Sequence, residues 1–226
     1  HAYSSKKCAY LKSVSKVINS LFSPFNADAV ISKMMKSEKW PQSKYYQMTP
    51  SEIKSLWNSN GKNARNAGTK LHDQIEKYCN NEEFDADEDD AALDQFIAWD
   101  QQKQWTPYRT EWKIFDDDFK IAGTIDAVFK NKKNEYVMVD WKRCKEIPRG
   151  NSFQASIVSE LDHLPDCKFV RYSMQLNLYK KIVEKNYGIK ISHMFIVNVH
   201  PLQNTFLEIK ALDLSREMDI VLGSDG

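Results

Sequence analysis

The chain from residue 108 to residue 142 constrains the fold more than any other part of the sequence. Three segments rich in aromatic and β-branched residues follow one another there, and two short polar runs separate them. Asp and Asn in such runs favour tight turns, because their side chains bond to nearby backbone amides. The pattern therefore predicts three consecutive strands in an antiparallel meander. The strands are 108–115, 120–129 and 135–142, and the turns are 116–118 and 131–134.

A helix start is encoded shortly before residue 50. Thr49 can cap the free backbone amides, Pro50 fits the first turn, and Glu52 suits the positive end of the helix dipole. We expect this helix to be interrupted at Gly61, because glycine is a weak helix former. A second helix is then expected from about residue 63. Its apolar stripe, at steps of three and four, comprises Ala64, Ala67, Leu71, Ile75 and Tyr78.

The remaining patterns complete the order of elements. Short helices fit best before residue 46, a further helix fits 93–99, and a helix from Val170 ends near Gly188. A buried strand fits 193–200. This order predicts an α/β fold with a central mixed sheet, an antiparallel meander flanked by helices, and a helical N-terminal part. The length of 226 residues, with 42% hydrophobic residues, suits one compact domain.

Charge is distributed unevenly along the chain, although the net charge is only +1. Residues 1–70 contain twelve Lys or Arg, from Lys6 and Lys7 to Lys70, and three acids. A basic segment of this kind attracts polyanions. Residues 82–90 are strongly acidic, and we expect a solvated loop there because adjacent like charges repel one another.

Several classes of protein do not fit the sequence. Cys8, Cys79, Cys144 and Cys167 are widely spaced, with no neighbouring Cys or His at zinc-finger spacing, so we expect reduced thiols and no structural zinc. No apolar run reaches the length of a membrane span, and the start lacks the apolar centre of a secretory signal. We expect an intracellular protein with no membrane partner. The start at His1 leaves a removed organelle-targeting peptide open, so the compartment is undetermined.

Two carboxylates and a lysine in the meander are candidates for chemistry. The strand period places Asp140 and Lys142 on one face and Val139 and Trp141 on the other. Asp126 lies one hairpin upstream, so two carboxylates can converge on one cation. Hard oxygen ligands of this kind suit Mg²⁺ or Mn²⁺. The alternative is a surface ion pair that contributes little.

Two helices offer further polar pairs. His72 and Glu76 are four residues apart and share a helix face, from which they could present an imidazole and a carboxylate to the meander. Gln175 and Tyr179 have the same spacing on the later helix. A single histidine of this kind is more often a satisfied structural group, and packing alone explains Gln175 and Tyr179 about as well.

Four ordered runs of residues resemble a known superfamily. GTKLHDQIEKY, AGTIDAVF, VMVDWKR and YSMQLNLYKKIVE are similar to motifs of the PD-(D/E)XK nucleases, within them the RecB-like exonuclease group that includes the mitochondrial genome maintenance exonucleases. The runs extend from Gly68 to Glu184, about half of the chain. The resemblance implies a restriction-endonuclease-like nuclease core over 67–226. It also implies a helical lead-in over 1–66 that forms part of the DNA path.

The resemblance also implies roles for individual residues. The implied metal ligands are His72, Asp126, Asp140 and the backbone carbonyl of Trp141. The implied catalytic residues are Asp126, Asp140, Lys142 and Glu76, and the supporting residues are Gln175 and Tyr179. Lys142 would orient or deprotonate the water that attacks the phosphodiester, and the cofactor would be Mg²⁺ or Mn²⁺. Only Cys144 and Cys167 lie beyond the meander, so we expect no iron-sulfur cluster.

The expected substrate is DNA, as single strands or at DNA ends, and the expected activity is that of an exonuclease. Lys62, Arg65, Lys70 and Trp57 are predicted to bind it, because phosphate neutralisation and base stacking hold single strands without sequence preference. The alternative for Trp57 is a structural role in the hydrophobic core. A helicase or a replication or repair complex is a possible partner. The alternatives are an RNA-cleaving endonuclease of the same superfamily and a non-catalytic nucleic-acid-binding module.

Overall fold

Helices cover both faces of a six-stranded mixed sheet in the computed structural model of the chain, which describes residues 4, 10–85 and 91–223. This architecture confirms the predicted fold class. The strands are β1 Lys12–Ser13, β2 Thr106–Asp116, β3 Ile121–Lys130, β4 Tyr136–Lys142, β5 Ile191–Asn198 and β6 Leu207–Lys210. The helices are α1 Val14–Ser20, α2 Ala27–Met35, α3 Pro50–Cys79, α4 Ala91–Lys103, α5 Lys168–Tyr187 and α6 Ser215–Leu222.

The predicted meander is confirmed as β2, β3 and β4, which pair antiparallel in that order. The predicted strand 193–200 is β5, which pairs parallel with β4 and makes the sheet mixed. β6 adds an antiparallel edge to β5, and the two-residue β1 pairs parallel with the start of β3. β1, β6 and α6 were not predicted from the sequence, because each is too short to show a clear period.

Helix α3 corrects the prediction of a break at Gly61, since it continues without interruption for thirty residues. Glycine costs only about 1 kcal/mol relative to alanine inside a helix. A complete capping box of Thr49 and Glu52 at the N-terminus and the burial of Leu71 and Ile75 near the C-terminus offset that cost. Residues 54–70 include no buried side chain, and Ala64 of the predicted stripe is exposed. The predicted boundary at residue 66 falls inside this helix.

Two clusters of buried residues lie on opposite faces of the sheet. One joins the sheet to α1, α5 and α6, and the other joins it to α3 and α4. Val139 and Trp141 belong to the second cluster, whereas Met138 belongs to the first. The alternation predicted for β4 is therefore confirmed. It directs Asp140 and Lys142 away from the aromatic residues of α4.

The edge of β3 that faces β4 is only partly paired. β4 pairs with residues 127–130 of β3, and β1 pairs with Ile121 and Ala122. Between these pairings, residues 123–126 have no strand partner on this edge among the described residues. Asp126 therefore lies where β3 and β4 diverge, a position that leaves its side chain and nearby backbone groups accessible.

Some sequence predictions fall outside the described residues, namely those on Lys6, Lys7, Cys8 and the part of the acidic run at residues 86–90. Cys79, Cys144 and Cys167 are free thiols. Among the helices that the structure describes, none has the length and apolar character needed to cross a membrane.

Candidate metal centre

Side chains from α3, β2 and β3 converge beside the point where β3 and β4 diverge. Nδ1 of His72 lies 3.5 Å from Oε1 of Glu111 and 3.6 Å from Oδ1 of Asp126. One ligand atom from each of the three half-buried residues lies within 4.8 Å of the other two. An imidazole nitrogen and two carboxylate oxygens at such separations can be ligands of one cation.

Glu111 reaches this cluster through an unusual backbone conformation. Its φ is 42°, although it lies inside β2, where the pairs Thr110↔Ala127 and Trp112↔Ile125 flank it. A non-glycine residue in this region costs on the order of 1–3 kcal/mol and persists when its surroundings fix it. The intact pairs on both sides provide that constraint, and the distorted residue is the one opposite Asp126.

The carboxylate of Asp126 has two different neighbours. Oδ2 accepts a hydrogen bond of 2.8 Å from the backbone N–H of Trp141, while Oδ1 faces His72. The side chain thus takes the N–H that a paired β3 strand would otherwise bind. Nε2 of His72 lies 3.3 Å from the carbonyl oxygen of Trp141. Both backbone polar groups of Trp141 are consequently engaged by Asp126 and His72, the carbonyl at Nε2 of the imidazole and the two carboxylates at Nδ1.

Asp140 is the most deeply buried acid of this group, with 2% of its surface exposed. Nζ of Lys142 lies 2.6 Å from Oδ2 of Asp140, an ion pair. Oδ2 nevertheless accepts no hydrogen bond of good geometry from the described residues. The ring centre of Tyr172 lies 4.8 Å from the same Nζ, so the ammonium is held between a carboxylate and an aromatic face.

Electrostatics differ among these groups. Burial raises the pKa of Asp140 above its usual range, and neighbouring Asp126 adds to the effect. Burial opposes the charged form of Lys142, but Asp140 and Asp126 outweigh it and raise the pKa of the lysine. Burial likewise opposes a charged His72, yet Asp126 and Glu111 raise its pKa to about 9. Protonated His72 and Lys142 thus partly neutralise the three carboxylates of the centre.

The donor set fits a hard divalent cation. It offers carboxylate oxygens, a backbone carbonyl and one imidazole, which is a combination that Mg²⁺ or Mn²⁺ accepts. The buried Oδ2 of Asp140 supports the fit, because a buried carboxylate oxygen without a hydrogen bond is costly unless it serves another partner. A proton on His72 would have to leave before its nitrogen could bind a cation.

The structure brings together most of the residues expected from the sequence. His72, Asp126, Asp140, Lys142 and the Trp141 carbonyl lie together as described. Glu76 follows one turn after His72 and lines an open cleft of about 430 Å³ together with Glu111 and Arg65. Burial and the nearby Glu111 raise the pKa of Glu76.

Gln175 and Tyr179 lie under the cluster rather than in the cleft. Nε2 of Gln175 donates a 2.8 Å hydrogen bond to the hydroxyl of Tyr179, which is buried. The Tyr179 ring packs against Gly123 of β3, where a Cβ would lie 2.4 Å from the ring. Only glycine fits this contact, so the ring supports β3 three residues before Asp126.

The predicted substrate-binding residues are spread along α3. Arg65 lines the cleft, whereas Lys62 and Lys70 are exposed and are not among its lining residues. Trp57 is half-buried and contacts Phe25 and Tyr45, with ring centres 6.0 and 5.9 Å away. It precedes His72 by fifteen residues, about 22 Å along the helix. The structure does not bring Trp57 to the cleft, and its role in binding stays a prediction.

Glu111 is the site residue that the sequence reasoning missed. A signal was present, because antiparallel pairs counted outward from Asp116↔Ile121 place Glu111 opposite Asp126. Counting the register of the first hairpin would therefore have added this carboxylate to the candidates. The positive φ that directs it to His72 has no counterpart in the sequence pattern.

Comparisons with known proteins give distant structural matches. No protein-family model matches the chain, and no curated protein matches it. The crystal structure of SSO0001 matches with 16% identity and a TM-score of 0.38, over 99% of this chain and 76% of that chain. A structure from Eubacterium rectale, described as a "putative exonuclease", matches with the same identity and TM-score, over 59% of this chain. The match spans 50% of that protein's chain. At these TM-scores the function has to be argued from the site itself.

Proposed function

We propose that the chain is a nuclease that uses a divalent metal ion to hydrolyse phosphodiester bonds in DNA, as an exonuclease acting on single strands or DNA ends. One observation carries the proposal. A buried carboxylate oxygen of Asp140, without a hydrogen bond among the described residues, lies beside Lys142. The cluster of His72, Glu111 and Asp126 adjoins this pair.

The metal ion would be held by His72, Asp126, Asp140 and the carbonyl of Trp141, with Glu111 as an added ligand. When bound, a divalent ion neutralises charge on the phosphate and makes water more acidic. The ligand residues keep their orientation through the chain itself. The N–H of Trp141 fixes Asp126, and the flanking β2–β3 pairs fix Glu111.

Lys142 supplies a positive charge at the edge of this centre. Its raised pKa keeps a proton on Nζ, so the group can donate hydrogen bonds to a water molecule or to a phosphate oxygen. The ring of Tyr172 and the carboxylate of Asp140 limit where Nζ can lie. In this role the lysine orients the attacking water and stabilises negative charge that grows during hydrolysis.

The residues in and around the cleft favour a nucleic-acid backbone as the substrate. Arg65 lines the cleft together with Gly68 and Thr69, all on α3, which offer a charged group and little bulk to a phosphate. The described lead-in is basic and includes Lys62, and Lys70 follows on the same helix. Phosphate contacts of this type contribute most of the sequence-independent affinity for nucleic acids.

Cleavage of end-labelled nucleic acids tests the proposal. Single- and double-stranded DNA and RNA should be incubated with Mg²⁺, Mn²⁺ or EDTA, with Asp140→Asn as the matched variant. We expect metal-dependent shortening of DNA by the wild type and none with EDTA or with the variant. Cleavage of RNA alone would replace DNA by RNA as the substrate. The absence of cleavage on all four substrates would contradict a nuclease.

A further inference from the structure

Exposed apolar side chains are frequent in two chain segments that lie outside the metal centre. Phe25 is 73% exposed, Val30 is 42% exposed and Phe153 is 92% exposed. Seven of the twelve large hydrophobic side chains exposed among the described residues belong to the region that combines residues 25–56 and the loop after β4. They are Phe25, Val30, Met35, Tyr46, Leu56, Phe153 and Ile157. A concentration of this kind marks a surface that contacts another molecule.

The two chain segments that form this region are held together by specific contacts. The backbone N–H of Ile157 and the hydroxyl of Ser156 each donate a 2.9 Å hydrogen bond to the carbonyl of Leu21. Phe22 forms a β-bridge with Ser156. The exposed rings therefore stand on an ordered base, and their exposure is a property of the folded chain.

A groove lies between these segments, which we call the aromatic groove. Its volume is about 600 Å³, and Asn19, Phe25, Val30, Gln154, Asp166 and Arg171 are among the residues that line it. Arg171 donates to Asp166 at 2.7 Å and to Asn19 at 2.8 Å, so its charge is already balanced. The groove thus offers an aromatic face and side-chain amides rather than a net charge. Flat rings with polar edges, such as nucleobases, match this lining.

Positive charge lies around the groove instead. Phe153 and Lys33 flank the groove rather than line it, next to the lining residues Gln154 and Val30, and Nζ of Lys33 lies 5.9 Å from the ring centre of Phe153. Asp28, the acid on the same helix as Lys33, forms an ion pair of 2.8 Å with Lys54. Exposed rings beside lysines combine base stacking with phosphate neutralisation, which is how single strands are bound without sequence preference.

The groove connects to the metal centre through helix α5. Arg171 lines the groove, and the next residue, Tyr172, faces Nζ of Lys142 at 4.8 Å from its ring centre. The floor of the groove and the wall of the metal centre are therefore adjacent residues of one helical turn.

We propose that the aromatic groove binds an unpaired DNA strand whose bases stack on Phe25 and Phe153 while its phosphates lie near Lys33. This inference rests on the proposed function, because cleavage of the bound strand would require the metal centre. Binding of the strand itself requires no cleavage. Duplex DNA does not fit the same role, because its bases are already stacked on one another.

Binding and hydrolysis are tested separately. A fluorescein-labelled oligothymidylate and a labelled blunt duplex are titrated with the full chain in EDTA, so that no cleavage occurs. The variant Phe25→Ala/Phe153→Ala removes two exposed rings at little cost to folding, and Phe115→Ala is the matched aromatic control at the far end of β2. We expect the double variant to bind the single strand at least about tenfold more weakly and the duplex unchanged. Hydrolysis of bis(p-nitrophenyl) phosphate with Mn²⁺ should be the same in all three proteins.

The outcomes separate this inference from the proposed function. If the double variant binds the single strand with unchanged affinity, the proposal that the aromatic groove binds DNA is wrong, whatever the cleavage assays show. An equal loss for the duplex, or an equal loss in Phe115→Ala, would also overturn it. A dimer in sedimentation that the double variant abolishes, with DNA affinity unchanged, would make the surface a contact between copies. Failure of the wild type to hydrolyse any phosphodiester would contradict the nuclease alone.

Discussion

Two aspartates on the meander are almost equally buried but have opposite surroundings. Asp116, at the first turn, is 1% exposed, and Asp140, at the metal centre, is 2% exposed. Asp116 accepts hydrogen bonds of 2.9 Å from the backbone N–H groups of Asp118 and Phe119. It also accepts one of 2.8 Å from Asn186, and Lys185 forms an ion pair with it at 2.9 Å.

The pKa values of the two acids show the difference. Burial alone would raise the pKa of Asp116, but the N–H of Phe119, with Lys185 and Asn186, outweighs it and holds that pKa below the usual value. Asp140 has one ion pair, and burial raises its pKa. A buried acid with four close donors stabilises the fold, whereas Asp140, whose close partner among the described residues is Lys142, keeps lone pairs for a further partner. We therefore interpret the first turn, at Asp116, as the structural end of the meander. The metal centre, at Asp140, is its functional end.

The largest effect should come from breaking the functional end. Asp126→Ala, Asp140→Ala and Lys142→Ala should each lower the cleavage rate on the order of a thousandfold, about 4 kcal/mol of barrier. Each removes a ligand or a charge at the centre. The free energy of unfolding of Asp140→Ala should also fall, by about 3 kcal/mol, because the buried Lys142 loses its partner, so rates are compared per folded molecule. Rates from gel assays and urea unfolding measure both. A residue whose variant keeps cleavage within about tenfold of wild type has no catalytic role.

At the structural end we expect a loss of stability without a loss of cleavage activity. Asp116→Ala leaves two backbone N–H groups without their partner, while Lys185 keeps its ion pair with Asp118, so the free energy of unfolding should fall by about 2 kcal/mol. Cleavage per folded molecule should stay within a few-fold of wild type. Urea unfolding and the rate per active site provide the measurements. A thousandfold loss of rate in a folded Asp116→Ala protein would remove the distinction between the two ends.

The pH dependence of stability is the control for this variant. The folded-state pKa of Asp116 is lowered, so its contribution is fully present above the unfolded value of about 3.9. It is lost as the pH falls through the folded pKa. Asp116→Asn should therefore reduce the acid dependence of unfolding below about pH 4. The same slope in both proteins would mean that Asp116 is not the titrating group.

A smaller effect should follow from replacing the imidazole ligand, His72, or the carboxylate ligand with the strained backbone, Glu111. His72→Ala and Glu111→Ala should each raise the Mn²⁺ concentration needed for half-maximal binding by about tenfold or more. Asp73→Ala, which removes an exposed acid from the same cleft, is the matched control. Calorimetric titration of Mn²⁺ into each protein measures this directly. A Glu111→Ala titration identical to that of Asp73→Ala would return Glu111 to a structural role.

The smallest effect concerns the approach of DNA to the functional end. Arg65 lines the cleft, so Arg65→Ala should reduce the slope of log affinity against log salt by about 0.7 for a single strand. Lys62→Ala was expected from the sequence to act similarly, but its exposed position outside the cleft predicts a weaker change. Lys185→Ala, at the structural end, should leave the slope unaltered. Binding across a salt series checks all three, and an unchanged slope for Arg65→Ala would place the DNA path elsewhere.

Much of the centre could be predicted because it depends on local rules. Turn chemistry at residues 116–118 and 131–134 defined the strands, and the two-residue period separated Asp140 and Lys142 from Trp141. Thr49 and Glu52 form the predicted capping box. Each of these signals lies within a few residues of its effect, so the sequence by itself determined the meander, the helix start and the face on which the carboxylate and the lysine lie.

Only the tertiary structure decided which distant residues these elements contact. Helix α3 continues through Gly61 because its two ends are anchored far apart, and that continuity sets where His72 lies. Glu111 turns toward His72 only because the β2–β3 pairs on both sides constrain its backbone. Phe25 and Phe153 share one surface because Leu21 binds Ser156. These contacts join residues distant in the chain, and their energies depend on packing and on burial, which no local period encodes.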